Sequence, residues 1–388
     1  MREPHSSPQG SAIRHKLLFL ALGRRGAIPR LALQLALAGT GREDLRQTFV
    51  VSRGSELFED FAFLGPQLVP VDTIQGRSPT TVLRNYFRAE RRILERIATD
   101  RPDAVINLCP HLWSPVLMPR IRRLNVPFVT IVHDAVGHPG DPGALLAPWF
   151  RSEARGADAV VTLSRSVANA LVGGRGIAPE RIVPLFLPDL VHGAPAHEPD
   201  AARLGGFRLL HFGRLLKYKG LDLLLDALEI IASQGTKVAL TVAGAGKIAT
   251  RTRARLASLK AEVINRWIGD AEIGPLFSRH DALVVSHLEC SQSGTAAAAF
   301  GSGLPVIAVP MGGLMEQVIN SKTGVLASAT SAPALALAIR RLAADPKLHA
   351  AICANLVASE PERSTRRFLD MLLAITPWCF SGMCGKAA

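Results

Sequence analysis

Short apolar runs alternate with helix-like segments along almost the whole chain, and the alternation comes in two series. In the first, KLLFLAL (16–22), TFVVS (48–52), DAVINL (103–108), PFVTIVHD (127–134) and DAVVTLS (158–164) adjoin segments such as RLALQLALAG and YFRAERRILERIA. In the second, FRLLHFG (207–213), KVALTVAG (237–244), AEVINRWI (261–268), DALVVSH (281–287) and LPVIAV (304–309) are separated by helices such as GLDLLLDALEIIAS. Apolar strands that alternate with helices form a parallel sheet covered on both faces. Residues 188–206, PDLVHGAPAHEPDAARLGG, break the pattern with Pro and Gly and read as a linker. The expectation is therefore an α/β chain of two doubly wound sheets. A ligand then belongs in the cleft between the carboxyl ends of their strands.

Bulk properties agree with two globular domains. The 388 residues exceed the roughly 250 to 300 at which one core stops growing. The net charge of +13 has no Lys/Arg block, and aromatic residues are only 5% of the chain, so a nucleic-acid footprint is not expected. The five cysteines, at 109, 290, 353, 379 and 384, are odd in number and irregularly spaced, which argues against a disulfide framework or a zinc site and fits a reducing compartment. KLLFLAL is followed by Arg24 and Arg25 where a leader would carry its cleavage site, so it reads as a first buried strand. No stretch reaches the roughly 18 apolar residues of a membrane span. A cytoplasmic protein is expected.

Four features of the second series follow strands and would face the cleft. Strand 207–213 ends in Gly213 and is followed by Arg214 and Lys219, two cations suited to a diphosphate or, more blandly, solvated charges at a helix start. In LECSQSGTAAAAFGSGLPVIAVPMGG (288–313), Gln292, Ser293, Gly294 and Thr295 sit at the start of an alanine-rich helix, where unpaired backbone amides favour an anion. Glu289, beside them, either holds sugar hydroxyls and balances charge at a reacting carbon, or caps a helix. In GGLMEQVI, Gly312 and Gly313 permit close backbone approach to a ligand, and Glu316 contacts that ligand or caps its own helix.

Taken in order, these segments resemble the donor domain of retaining GT-B glycosyltransferases of family four. The matches are Gly213, Arg214, Lys219, Gly220, Glu289, Gly303, Pro305, Val306, Ile307, Ala308, Gly312, Gly313, Glu316, Thr323 and Gly324. The resemblance implies two Rossmann-like domains, an acceptor domain at 14–190 and a nucleotide-sugar donor domain at 207–365, with a helix and tail at 366–388 crossing back to the first. It implies that Arg214 and Lys219 hold the donor diphosphate, that Glu289 contacts the donor sugar, and that Gly213, Gly313 and Glu316 lie by the sugar or nucleotide. The family's second acid, which binds the nucleotide ribose, falls at Ala298 here. The Ser-Gln-Ser-Gly loop is similar to that of a bacterial subgroup.

The first series carries fainter signals. GRRG places Arg24, Arg25 and Gly26 between first strand and first helix, which in the resembled family faces acceptor and phosphates. His133 and Asp134 end a strand, with His138 and Asp141 beyond; adjacent strand residues point apart, so no metal site is expected, and no Asp-x-Asp occurs. The resemblance puts His133 near the donor sugar; the plainer reading is a strand-end histidine bonded to backbone. Together these imply a hexosyltransferase that needs no cofactor or metal, takes a nucleotide sugar and a glycan or lipid-linked acceptor, and serves exopolysaccharide or cell-surface glycan synthesis. The alternatives are a nucleotide-sugar epimerase or phosphorylase of the same fold, or an inactive nucleotide-sugar-binding homologue. YFRAERRILERIA (86–98), with Phe87, Leu94 and Ile97 opposite Arg88, Arg91, Arg92 and Arg96, reads either as a core-facing helix with a basic outer side or as a peripheral contact with the inner membrane face.

Overall fold

The computed structural model describes residues 13–73, 78–135, 137, 146–173, 176–193 and 206–375. Strands β1 (His15–Ala21), β2 (Leu45–Ser52), β3 (Leu68–Val71), β4 (Ala104–Asn107), β5 (Phe128–Val132), β6 (Ala159–Thr162) and β7 (Ile182–Pro184) form a parallel sheet in the order β3-β2-β1-β4-β5-β6-β7. Strands β8 (Phe207–Phe212), β9 (Val238–Ala243), β10 (Glu262–Ile264), β11 (Ala282–Val285), β12 (Val306–Ala308) and β13 (Gly324–Leu326) form a second parallel sheet in the order β10-β9-β8-β11-β12-β13. Helices α1 (Ala27–Gly39), α2 (Pro79–Asp100), α3 (Ser114–Arg122), α4 (Ala147–Gly156) and α5 (Arg165–Val172) serve the first sheet. Helices α6 (Leu221–Ser233), α7 (Thr250–Ser258), α8 (Asp270–Ser278), α9 (Gly294–Gly301), α10 (Leu314–Gln317), α11 (Ala332–Ala344), α12 (Pro346–Ala358) and α13 (Glu360–Arg363) follow the second, and α14 (Thr365–Ile375) ends the described chain.

The period of two explains why the strands are apolar throughout. In β1, Leu17, Phe19 and Ala21 join a core with Leu31 and Leu35 of α1, whereas Leu18 and Leu20 join another with Ile93 and Ile97 of α2. Phe19 stacks on Phe49 of β2 with ring centres 4.6 Å apart. The first of these cores continues into the second domain without a break, through Leu190 and the helix α14.

α14 packs on α1. Phe368, Leu369, Leu372 and Leu373 are buried, Gln34 donates to Thr365 Oγ1 at 3.0 Å, and Arg42 pairs with Asp370. Just before it, Arg363 Nε lies 3.0 and 3.1 Å from the two oxygens of buried Asp189. Asp189, Leu190 and His192 are all buried, so the start of the presumed linker is a packed seam between the domains. Residues 194–205 and the tail 376–388 lie outside the described residues.

Two local expectations need correction. In AEVINRWI only Glu262–Ile264 is strand. The chain turns away because the Arg266 amide folds back onto the Ile264 carbonyl at 3.0 Å and Asn265 Oδ1 accepts from Gly246 N at 3.2 Å. On α2, Phe87, Leu94 and Ile97 do not form one free stripe: Ile97 is in the core with Tyr86, Ala89 and Ile93, Leu94 is partly buried, and Phe87 is 51% exposed.

Each sheet order reverses beside its first strand, between β1 and β4 and between β8 and β11. Crevices open there at the carboxyl ends of strands. The loops that follow these strands build the site.

Candidate functional site: a cleft between the domains

β8 is followed by Gly213, whose φ of +117° turns the chain toward α9, with a methyl at this position lying 3.2 Å from Thr295 Cγ2. The loop then exposes Arg214 and half-buries Lys219, whose ammonium stands 5.0 Å from the centre of the Tyr218 ring. Opposite it α9 begins. Ser293 is its N-cap, with Oγ accepting from Ala296 N at 3.2 Å. Ser293 is held in turn by Gln317, whose Oε1 accepts the Ser293 amide at 2.6 Å. Gly294 and Thr295 thus supply the first helical amides, which have no partner within the helix. Ala296 to Ala299 are all buried, and Leu190 N donates to the Ala297 carbonyl at 3.0 Å, so the alanine run lets the interdomain seam lie directly on the helix.

The first domain presents a second helix start to the same place. A methyl on Gly294 would lie 3.3 Å from Ala27 Cβ at the beginning of α1. Neither helix carries an acid in its first turn. Two positive helix ends, each equivalent to roughly half an elementary charge, therefore converge across the domain boundary. Gly26 N donates to Glu56 Oε1 at 2.7 Å while Trp267 Nε1, from the second domain, donates to Glu56 Oε2 at 3.1 Å. Arg25 stands over the Trp267 ring at 5.6 Å, whereas Arg24 turns aside to donate to the Gly54 carbonyl at 3.3 Å. The cleft so formed has a volume of about 450 Å³ and is lined by Arg25, Gly26, Gly213, Arg214, Lys219, Gly294, Thr295 and Ala298, with Trp267 and Ile268 at one end.

The other candidates are placed around this cleft and not in its wall. Glu289 is exposed in the loop after β11. Gln292 is half-buried, with Oε1 buried and without a hydrogen-bond partner. Neighbouring Cys290 links the two sides electrostatically: burial pushes its thiol up to about 12, Lys219 opposes that and Asp134 of the first domain adds to it. His133, at the end of β5, bonds through Nε2 to the Leu108 carbonyl at 2.9 Å. A carbonyl only accepts, so Nε2 carries the proton and Nδ1 is left as an acceptor. Burial holds the imidazole below its ordinary range, against the smaller upward pulls of the Leu108 carbonyl and Asp134, which keeps it neutral at pH 7.

Glu316 does not cap its own helix. Its Oε2 and Oε1 accept from the amides of Arg165 at 2.7 Å and Ser166 at 2.8 Å, the first turn of α5 in the other domain. Ser164 Oγ donates to the Ser291 carbonyl at 2.8 Å beside it. Gly312 and Gly313 permit close approach of the chain to itself: methyls there would stand 1.8 Å from Cys290 O and 2.1 Å from Ser291 O. Of His133, Asp134, His138 and Asp141, for which no metal site was expected, the last two lie outside the described residues. Among the described residues no group of three or more His, Cys, Asp or Glu is arranged to hold a metal ion. Gln317 and Glu56 were missed by sequence reasoning; Gln317 follows Glu316 in GGLMEQVI but was given no role, Glu56 stands in no motif, and both act through contacts made by distant segments.

Residues 206–345 match the family model described as "Glycosyl transferases group 1", and residues 26–187 match "Glycosyl transferase 4-like domain". The chain belongs to the GT-B glycosyltransferases. Among curated relatives, it is 30% identical over 271 residues to a glycogen synthase of Mycobacterium tuberculosis, covering 65% of this chain and 64% of that protein, so the match spans less than two thirds of that relative. It is 28% identical over 383 residues, 92% of this chain and 96% of the relative, to the UDP-N-acetylglucosamine--N-acetylmuramyl-(pentapeptide) pyrophosphoryl-undecaprenol N-acetylglucosamine transferase of Rhodopseudomonas palustris. The fold is shared with Anabaena HepE, crystallised with UDP-glucose, at a TM-score of 0.68 and 20% identity over 93% of this chain and 99% of that one. A glycosyltransferase from Rickettsia africae gives a TM-score of 0.69 at 18% identity, with 95% and 99% covered. In this chain the cleft lies where the loops after β1 and β8 meet across the domain boundary.

Proposed function

We propose that the chain transfers a sugar from a nucleotide-diphosphate donor to a hydroxyl acceptor, with retention at the anomeric carbon. The observation that carries this reading is the convergence of the α1 and α9 starts with Arg25, Arg214 and Lys219 on one cleft of about 450 Å³. Amides, helix dipoles and cations aimed at one point stabilise the charge that a departing diphosphate develops, without a metal ion. HepE was crystallised with UDP-glucose, which supports a nucleotide sugar as the donor here. In the transfer, the bond between the anomeric carbon and the diphosphate oxygen breaks as the acceptor oxygen attacks from the same face, and the leaving phosphate takes the acceptor proton. His133 presents the Nδ1 lone pair as a neutral acceptor for a donor hydroxyl, and Glu289 offers a carboxylate beside the helix start. The chain supplies positioning and charge.

The acceptor follows from kinship alone: a glycan or a lipid-linked sugar in cell-surface synthesis, the kind of acceptor named for the R. palustris enzyme. Thermal stabilisation by UDP, GDP, ADP and TDP tests the donor site, with Arg214→Ala and Lys219→Ala alongside. The expected outcome is a shift with one nucleotide that both substitutions abolish. No shift with any nucleotide would overturn the reading. A shift without turnover across a broad acceptor panel would favour a binding protein, for which Ala298 in place of a ribose-holding acid is the specific indication.

A further inference from the structure

The first domain has a second exposed face, built by α2, α3 and α4, that the cleft does not use. The helices are joined side by side: the rings of Tyr86 and Trp113 are 5.7 Å apart, Glu90 of α2 pairs with Arg120 of α3, and the Trp149 indole of α4 donates to the Leu112 carbonyl at 3.0 Å. Across this face Leu83 (56%), Phe87 (51%), Leu112 (38%), Val116 (39%) and Trp149 (41%) are exposed. Leu83 and Phe87 are one turn apart, on the flank of α2 that carries Glu90 and so turns toward α3. Val116 is one turn before Arg120 and so on the flank of α3 that meets α2. The apolar residues thus form a belt across three helices and not scattered points. Beside it α2 exposes Arg84, Arg88, Arg91 and Arg92 with a single acid, Glu95, which Arg91 holds at 2.7 Å.

An apolar belt with an indole at its edge and a row of arginines along its flank matches the chemistry of a charged lipid interface, where alkyl and aromatic groups enter the headgroup boundary and cations meet phosphates. We propose that the α2–α3–α4 face docks on an anionic phospholipid bilayer. Leu83, Phe87, Val116 and Trp149 enter the interface, and Arg84 and Arg88 meet lipid phosphates, while Arg92 is held on the Pro70 carbonyl at 2.9 Å. Charge complementarity selects this occupant over a second copy of the chain, whose pairing through this face would bring two arginine rows together. α3 and α4 start from the carboxyl ends of β4 and β5, the same end of the parallel sheet at which the loop after β1 lines the cleft. The docking stands independently of the donor chemistry.

The test is sedimentation of the full chain with vesicles of phosphatidylcholine alone and of phosphatidylcholine with phosphatidylglycerol, at about 0.15 M salt, without any sugar donor. The wild type is expected to sediment with the anionic vesicles and not the neutral ones. Leu83→Glu with Phe87→Glu abolishes this, and Arg84→Ala and Arg88→Ala each lower vesicle affinity about fivefold, from about 1 kcal/mol per basic residue at such a surface. The variants are first shown to melt as the wild type does, so that lost binding is not lost folding. A wild type that stays in the supernatant overturns the proposal, as does undiminished sedimentation of the double variant. Light scattering that shows a wild-type dimer dissolved by Phe87→Glu, with no vesicle binding, assigns the face to a second copy instead.

Discussion

Gly312 sits at φ +47° with Cys290 O where its side chain would be, and it brings the loop after β12 onto the loop after β11. Gly312→Ala is expected to cost at least about 2 kcal/mol, from the left-handed backbone and the clash together. Thermal melting reads this as a fall of several degrees. The buried histidines give a pH dependence. Burial lowers His211, His192 and His111 to about 4, with Lys219 adding to the effect at His211 and Arg30 at His192. The unfolded chain takes up these protons below about pH 6.5 and the folded chain does not until about pH 4, so the stability is full above pH 6.5 and is lost as pH falls below it. The slope is about 1.4 kcal/mol per pH unit for each histidine. Urea unfolding between pH 7.5 and 5 should show it, and His211→Leu, which loses an Nδ1 that has no partner, should make it shallower. At this scale the cations were legible in the sequence because Arg214 and Lys219 lie in one short loop after one strand. The partners of Glu316 were not, since Arg165 and Ser166 are about 150 positions away and nothing in GGLMEQVI points to them.

Among the elements, strands and helices buried on both sides were readable because their period is enforced along their whole length. β10 was misread: three strand residues and a loop carry an apolar pattern as continuous as a strand, and only the backfolding of Arg266 separates them. On α2, Leu94 and Ile97 turn to the core as a core-facing helix requires and Phe87 turns outward, since a helix flanked by a sheet and another helix has no single apolar stripe. The cap that α10 gives to α5 is testable. Glu316→Ala removes both acceptors of the first α5 amides and is expected to cost about 1 kcal/mol. Because the two helices belong to different domains, it should also weaken nucleotide binding by a few fold in calorimetry, and Glu316→Gln should restore part of both.

For the whole molecule, the terminal helix α14 decides whether the two domains share a core. Its Phe368, Leu369, Leu372 and Leu373 cover the surface of α1, and a chain ended at residue 364 lacks them and would expose that surface. Burying four such side chains contributes several kcal/mol. The truncated chain is expected to melt well below the full chain, or to aggregate, with the loss read by calorimetry and light scattering. Glu56 stands between the like poles of α1 and α9, accepting from Gly26 of the first domain and from Trp267 of the second, so that one carboxylate acts as a strut holding two mutually repelling helix ends in place.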